Sequence, residues 1–239
     1  MRRLPLNVFL GFALLVVSFV ARAIILDANL SIGNEPTLVG PSRSGCLPVT
    51  DPLCARPTPF GNAHFVMTGS GASLQMTMEV DVFNIDFTGT QTPNDTNDNL
   101  TAAHIHVFDF GQVTPTASVR WGFLGSPFND TVSPGLIAPV SNNPFTQIGC
   151  GTGGACVTPF ATGAGAHIST VWNATEGNGA GFNLISLQDE ILAGLAYINF
   201  HTTQNGGGEI RGTLVVPEPA TLTLLGLGLA GLGFSRRKQ

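Results

Sequence analysis

The sequence predicts an all-β protein: an antiparallel β-sandwich of the Greek-key, immunoglobulin-like type with one short crossover helix. Residues 74–82 alternate between apolar and polar side chains, which is the period-two pattern of a strand with one buried face. Similar short runs recur along the chain, separated by turns rich in glycine, asparagine and proline. An N-terminal signal peptide and a C-terminal hydrophobic helix are predicted to flank this domain.

Residues 1–23 have the features of a secretory signal peptide. Two arginines near the start precede an uncharged, mostly apolar run over residues 9–20, and Ala21 and Ala23 supply the small-x-small pattern that signal peptidase cuts. The apolar run is shorter than the roughly 20 residues that a membrane-spanning helix needs. Cleavage after Ala23 is therefore favoured over an uncleaved anchor helix.

Residues 217–239 predict a sorting tail with three parts in a fixed order. These parts are the motif Pro217-Glu218-Pro219, an apolar segment over residues 220–234, and the basic residues Arg236, Arg237 and Lys238. The apolar segment is a predicted transmembrane helix, and the basic end is typical of the cytoplasmic side of a membrane. This arrangement resembles the PEP-CTERM sorting signal of Gram-negative bacteria. The resemblance implies processing by an exosortase, transient membrane contact, and delivery to the cell envelope, the cell surface or an exopolysaccharide matrix.

The domain between these signals, residues 24–216, is strongly acidic. It contains four arginines, no lysine and fourteen carboxylic acids, which gives a formal charge of −10 against −5 for the whole chain. Nucleic acid binding requires clustered positive charge, so this function is excluded.

Four cysteines occur as two close pairs, Cys46 with Cys54 and Cys150 with Cys156. Both pairs lie in predicted loops rich in glycine and proline. An exported protein favours disulfides over metal-bound thiolates. Bridges within each loop are the simplest connectivity, although four cysteines permit three pairings.

The remaining elements are short. Strands are predicted at residues 26–32, 63–68, 74–82, 105–110, 117–123, 195–200 and 209–216. One helix is predicted from an N-cap at Ser186 to a stop at Gly194, and residues 124–170 are expected to form loops.

Two histidine motifs suggest a site. His104 and His106 are two residues apart on a predicted strand, so both side chains lie on the same face. A predicted hairpin through the glycine turn 206–208 brings His201 close to Glu209.

These motifs resemble the chordin-type (CHRD) domain family, over about residues 27–215. The matching motifs are residues 101–106, residues 192–202 with Asn199, His201 and Thr202, and Gly208-Glu209-Ile210-Arg211-Gly212. The resemblance implies a compact extracellular β-sandwich and no agreed biochemical activity. Insertions at about residues 40–59, 88–100 and 124–170 depart from the family pattern.

Two interpretations of the histidines remain open. His104, His106, His201 and Glu209 offer ligands suited to zinc or copper. Alternatively, the histidines, Glu209 and Arg211 form a buried polar network that fixes the register of the strands, and the protein needs no cofactor. The sequence favours the network, and with it a surface or matrix protein that has a structural or binding role and no catalytic activity. The alternative is a metal-binding or redox protein.

Two further features carry weaker hypotheses. The polar run at residues 94–99 has oxygens suited to calcium, but it lacks the glycine and distal glutamate of an EF-hand loop, so a solvated turn is predicted. Trp121 and Trp172 are the candidate residues for carbohydrate binding in a matrix.

Overall fold

The computed structural model describes residues 23–36, 56–112, 114–127, 130, 156–179 and 181–217. These residues form nine strands and one α-helix. The strands are β1 (Ile24–Ser31), β2 (Phe60–Thr68), β3 (Gln75–Phe83), β4 (Leu100–Val107), β5 (Ser118–Leu124), β6 (Cys156–Pro159), β7 (Gly165–Asn173), β8 (Ala196–Thr202) and β9 (Ile210–Thr213), and α1 is Leu184–Leu192. The predicted all-β class with one short helix is confirmed.

The strands form one continuous antiparallel sheet in the order β5-β4-β8-β9-β1-β2-β3-β7-β6. The predicted two-sheet, Greek-key sandwich is not confirmed, because β9 joins the two halves of the sheet. This short strand pairs with β8 from Tyr197↔Thr213 onwards and with β1 at Ser31↔Arg211. The strands that a sandwich would divide between two sheets are therefore linked by backbone hydrogen bonds.

The sheet curls into a half-barrel, so that side chains from its two ends pack against each other in the core. Trp121 on β5 and Trp172 on β7 stack with their ring centroids 5.2 Å apart and their planes 2° from parallel, and both are fully buried. The inner face forms one apolar core with Phe65, Phe123 and Phe200 among its largest residues. Buried tryptophans offer no surface on which a sugar ring can stack, so the carbohydrate-binding hypothesis loses its only candidate residues.

The predicted helix is present but begins earlier than predicted. Asn183, not Ser186, is the N-cap, because the Asn183 side chain accepts a hydrogen bond from the Ser186 amide (3.0 Å). The Ser186 hydroxyl in turn accepts from the Asn183 amide (3.0 Å), which completes a capping box. Leu187 and Ile191 bury one face of α1 in the core, and the chain leaves the helix at Gly194, whose φ is +76°.

Several predictions fall on other parts of the chain. Ala21, Cys46, Cys54, Cys150 and the tail from Glu218 onwards lie outside the described residues. Cys156 is disulfide-bonded, but its partner also lies outside them, so the two pairings stay predictions. Within the described ranges, no helix has the length and apolar character needed to cross a membrane. The predicted span at residues 220–234 lies outside these ranges.

Candidate metal centre

Three of the four predicted metal ligands lie together on neighbouring strands. His104 and His106 are on β4 and His201 is on β8, where Ala102 pairs with His201. The intervening residues Ala103 and Ile105 belong to the core, so the histidines lie on the opposite, outer face of the sheet. All three are nevertheless buried, with 4%, 8% and 8% of their surface exposed.

Each imidazole uses one nitrogen to contact a backbone carbonyl. His104 Nε2 lies 3.1 Å from the oxygen of Ser126, and His106 Nδ1 lies 2.8 Å from that of Ala117. His201 Nδ1 lies 3.0 Å from the oxygen of Gly206. A carbonyl oxygen can only accept a hydrogen bond, so each of these three nitrogens carries a proton.

The three rings also bring nitrogen atoms close to one another. His104 Nδ1 and His201 Nε2 are 3.1 Å apart, and His106 Nε2 is buried without a hydrogen-bond partner in the described structure. One nitrogen from each ring lies within 4.8 Å of the other two, and across the described residues no other three His, Cys, Asp or Glu side chains do so. We call these three residues the histidine triad.

Burial keeps the triad neutral at physiological pH. Desolvation, together with the neighbouring His201 and His106, lowers the pKa of His104 to about 3. Desolvation likewise lowers the pKa of His106 to about 4, and it lowers that of His201. A neutral imidazole carries one proton, and the backbone carbonyls use all three protons. The second nitrogen of each ring therefore keeps an unprotonated lone pair.

Such an arrangement fits a bound metal ion. Neutral imidazole nitrogens are ligands that zinc and copper favour. Histidines that bind metals commonly donate the N–H of their other nitrogen to a carbonyl or carboxylate, which fixes the ring and its tautomer. In the triad, each of the three rings has this second contact already in place.

An aromatic and cationic wall covers one side of the triad. The Tyr197 ring stacks on His106 with centroids 4.7 Å apart and planes 6° from parallel. The Arg211 guanidinium lies over the Tyr197 ring, 4.6 Å from its centroid. The Ala117 amide donates a hydrogen bond to the Tyr197 hydroxyl (3.2 Å), so Tyr197 holds the same segment whose carbonyl contacts His106.

The structure does not place Glu209 with the triad. Its carboxylate accepts hydrogen bonds from the Arg56 guanidinium and from the Thr202 hydroxyl, and it is fully buried. Arg56 was not singled out by the sequence, because it lies in a loop far from the hairpin along the chain. The network interpretation groups Glu209 with Arg211. In the structure, Glu209 contacts Arg56 and Thr202, whereas Arg211 packs over the Tyr197 ring beside the triad.

The remaining motif residues hold the hairpin in shape. Gly212 lies so close to the backbone of Asn29 on β1 that a side chain would overlap it. Gly208 has φ +126° and lies against the side-chain carboxamide of Asn199, which also leaves no room for a side chain at position 208. Arg211 donates hydrogen bonds to the backbone oxygens of Asn34 and Pro115 (3.1 Å for the latter). These contacts join β9 to its surroundings.

The other two histidines are half-exposed on the opposite half of the sheet. His64 Nδ1 lies 2.7 Å from Asp27 Oδ1, and His167 contacts Asp81 (2.8 Å) and Glu79 (2.9 Å). Each therefore has at least one carboxylate partner of its own. The sequence did not predict the backbone oxygens that orient the three rings of the triad. Any residue type can supply a backbone carbonyl, so no pattern of residues identifies them.

Comparison with known proteins supports both resemblances. Residues 52–214, more than half of the chain, match the CHRD domain family. Residues 215–238 match the PEP-CTERM protein-sorting motif. No curated protein and no solved structure matches the chain. The structure adds that β1 lies before the matched range but pairs along its whole length with β2, from Ile24↔Met67 to Ser31↔Phe60. The chain belongs to the CHRD domain family and carries a C-terminal PEP-CTERM sorting motif.

Proposed function

We propose that this protein is an exported, exosortase-sorted surface protein whose CHRD domain binds a zinc or copper ion through His104, His106 and His201. The observation that carries the proposal is the proton count at the triad. Every ring proton is directed to a backbone carbonyl, one nitrogen of each ring lies within 4.8 Å of the other two, and His106 Nε2 is buried without a partner among the described residues. A metal cation satisfies all three lone pairs at once, whereas a hydrogen-bonded network needs protons that the neutral rings lack.

The donor set favours zinc or copper over calcium or magnesium. All three inward atoms are nitrogens, and the hard cations calcium and magnesium prefer oxygen. Glu209 is not part of the set, because its carboxylate is held by Arg56 and Thr202.

We assign the site a binding role and not a catalytic one. In the described residues, the group that stacks on the triad is Tyr197, whose hydroxyl already accepts a hydrogen bond from the Ala117 amide. The sorting motif supports export to the cell envelope or surface. A metal bound there would stabilise the domain outside the cytoplasm, because a ligand that binds only the folded state raises the free energy of unfolding.

Metal titration of the purified protein tests the proposal. The protein is stripped with a chelator, titrated with zinc and with copper, and analysed for bound metal. We expect one equivalent per chain, and loss of that equivalent in the triple variant H104Q/H106Q/H201Q. Single H106Q is a second test in case the triple variant does not fold; it should weaken binding by at least about tenfold, because losing even a partner outside the ligand set commonly costs that much affinity.

The two half-exposed histidines provide the matched control. The variant H64Q/H167Q removes imidazoles from the other half of the sheet and should keep the full equivalent. Uptake below about a tenth of an equivalent by the wild type would overturn the proposal in favour of the polar network. Equal losses in the triad variant and in H64Q/H167Q would show that binding is not localised to the triad.

A further inference from the structure

The loop between β3 and β4 contains a second cluster of buried polar groups. Residues 94–99 were expected to form a solvated turn, and for three of them this prediction is wrong. Asp95, Asp98 and Asn99 are only 5%, 2% and 7% exposed. Asp95 and Asp98, together with Thr92, line a cavity of about 350 Å³.

One carboxylate in this loop has a full set of donors. Asp86 Oδ1 accepts hydrogen bonds from the amides of Thr88 (2.8 Å) and Gly89 (2.7 Å). Its Oδ2 accepts from the amide of Thr92 (2.9 Å). Asp86 is 1% exposed, and these contacts satisfy its charge and fold the loop around it.

Asp95 and Asp98 lack such donors. Both oxygens of Asp98 contact the hydroxyl of Thr92, at 2.9 and 2.8 Å, and the same hydroxyl lies 3.1 Å from Asp86 Oδ2. One hydroxyl proton cannot satisfy three carboxylate oxygens. Asp95 Oδ1 accepts from the Asn97 amide (3.1 Å), but Asp95 Oδ2 is buried with no hydrogen-bond partner in the part of the chain that the structure describes.

The local charge is also unbalanced. The cation beside the cavity is Arg56, and its guanidinium forms an ion pair with Glu209. Within the described residues this leaves the carboxylates of Asp86, Asp95 and Asp98 without a matching cation. Burial, with smaller contributions from Asp95 and Asp86, raises the pKa of Asp98 to about 7. Burying several carboxylates together is costly unless a cation compensates them.

We propose that Asp95 and Asp98 bind a divalent hard cation of the calcium type in this cavity. The groups that lack a full set of donors, Asp95 Oδ2 and the Asp98 carboxylate, offer only oxygen atoms, and so does the Thr92 hydroxyl that contacts Asp98. Calcium accepts oxygen ligands in irregular loop geometry and completes its shell with water. Zinc and copper would find neither nitrogen nor sulfur among these three side chains, so this site and the histidine triad select different metals.

The site has a structural consequence in the neighbouring turn. The backbone oxygens of Asn97 and Asn99 accept hydrogen bonds from the amides of Gln204 and Thr203 (both 3.0 Å). The segment that would be ordered by the cation therefore holds the turn that follows β8. The inference does not depend on the histidine triad, since none of its proposed ligands belongs to the triad.

Thermal unfolding of the full chain tests this inference. The protein is stripped of metal and unfolded with calcium, with magnesium or with neither, and calcium uptake is measured by titration calorimetry. We expect calcium at a hundredfold excess over its Kd to raise the Tm by about 5 to 10 °C. The variants D95N and D98N should each weaken calcium binding by at least about tenfold, since each replaces a charged ligand by a neutral one.

Controls separate this site from the triad and from general charge effects. D189N removes a carboxylate from the exposed side of α1 and should keep the calcium response. The triad variant H106Q should also keep it, so a failure of one site is distinguishable from a failure of the other. No calcium uptake and no change in Tm at millimolar calcium would overturn the inference, and so would an equal response to magnesium.

Discussion

His104 Nδ1 and His201 Nε2 lie 3.1 Å apart although the proton of each ring is directed away, to the carbonyls of Ser126 and Gly206. Two neutral imidazoles cannot form a hydrogen bond between two unprotonated nitrogens. Without a metal, one ring would have to rotate, change its tautomer or accept an extra proton. Under the proposed function, metal occupancy is therefore coupled to the protonation of individual ring atoms.

The tautomers of the triad are a direct test of this relationship. In the zinc-bound protein we expect His104 to carry its proton on Nε2, and His106 and His201 to carry theirs on Nδ1, because these atoms face the three carbonyls. Nitrogen-15 NMR of the imidazoles distinguishes the two tautomers. The half-exposed His64 and His167 serve as reference signals. A proton on His104 Nδ1 or on His201 Nε2 in the zinc-bound form would contradict the assignment.

The triad should make the metal-free protein sensitive to acid. An unfolded histidine has a pKa near 6.5, whereas burial lowers the pKa of folded His106 to about 4. Between these values the unfolded chain binds more protons, so the free energy of unfolding falls as the pH falls from 6.5 to 4. Relative to H106Q, the metal-free wild type should lose stability over this range, by at most about 1.4 kcal/mol per pH unit.

Urea unfolding of both proteins at several pH values measures this difference. Using H106Q as the reference removes the contribution of Asp98, whose raised pKa acts in the opposite direction. A wild type and an H106Q variant with parallel pH profiles would show that His106 is not buried in its neutral form.

Glu209 should matter for stability and not for the triad metal. The substitution E209Q keeps the shape of the side chain but removes the charge partner of the buried Arg56 guanidinium. We expect a loss of about 3 kcal/mol in the free energy of unfolding, since breaking a buried ion pair leaves an uncompensated charge. The double variant R56L/E209L should recover much of this loss. E209Q should still bind one zinc per chain. Loss of zinc binding in this variant would indicate that Glu209 is a metal ligand after all.

Gly122 should be essential to the geometry around His104. A methyl group at this position on β5 would overlap the backbone oxygen of Pro127 and lie 3.1 Å from His104 Cδ2. We expect G122A to cost about 1–3 kcal/mol of stability, the usual range for overpacking, and to weaken zinc binding. Gly207 has no atom within 4 Å of the same added methyl, so G207A is a matched control that should change stability by less than about 0.5 kcal/mol.

The sequence predicted those parts of the site that depend on local periodicity. The two-residue spacing of His104 and His106 places them on one face of any strand, and the structure confirms this. Glu209 was misplaced because β9 begins only at Ile210, after a turn in which Gly208 has positive φ. Strand alternation therefore does not determine where the Glu209 side chain lies.

Features that depend on long-range contacts could not be predicted from the sequence. The polar run at residues 94–99 indicated a solvated turn, but the Asp86 carboxylate draws the loop inward through backbone amides. The contact between Trp121 and Trp172 depends on how far a nine-stranded sheet curls. Neither property is encoded in a pattern of neighbouring residues.

The sorting motif begins at a residue that is itself part of the folded domain. Val215, the first residue of the matched motif, exchanges backbone hydrogen bonds with Asp27 on β1 (2.9 and 3.0 Å). From Val215 to Ala220, where the predicted apolar segment begins, the chain can span only about 18 Å when fully extended. A protease that acts near Pro217 must therefore bind the chain close to the surface of the folded domain. The shape of the folded body, and not the tail alone, then decides which processing enzymes can reach the bond.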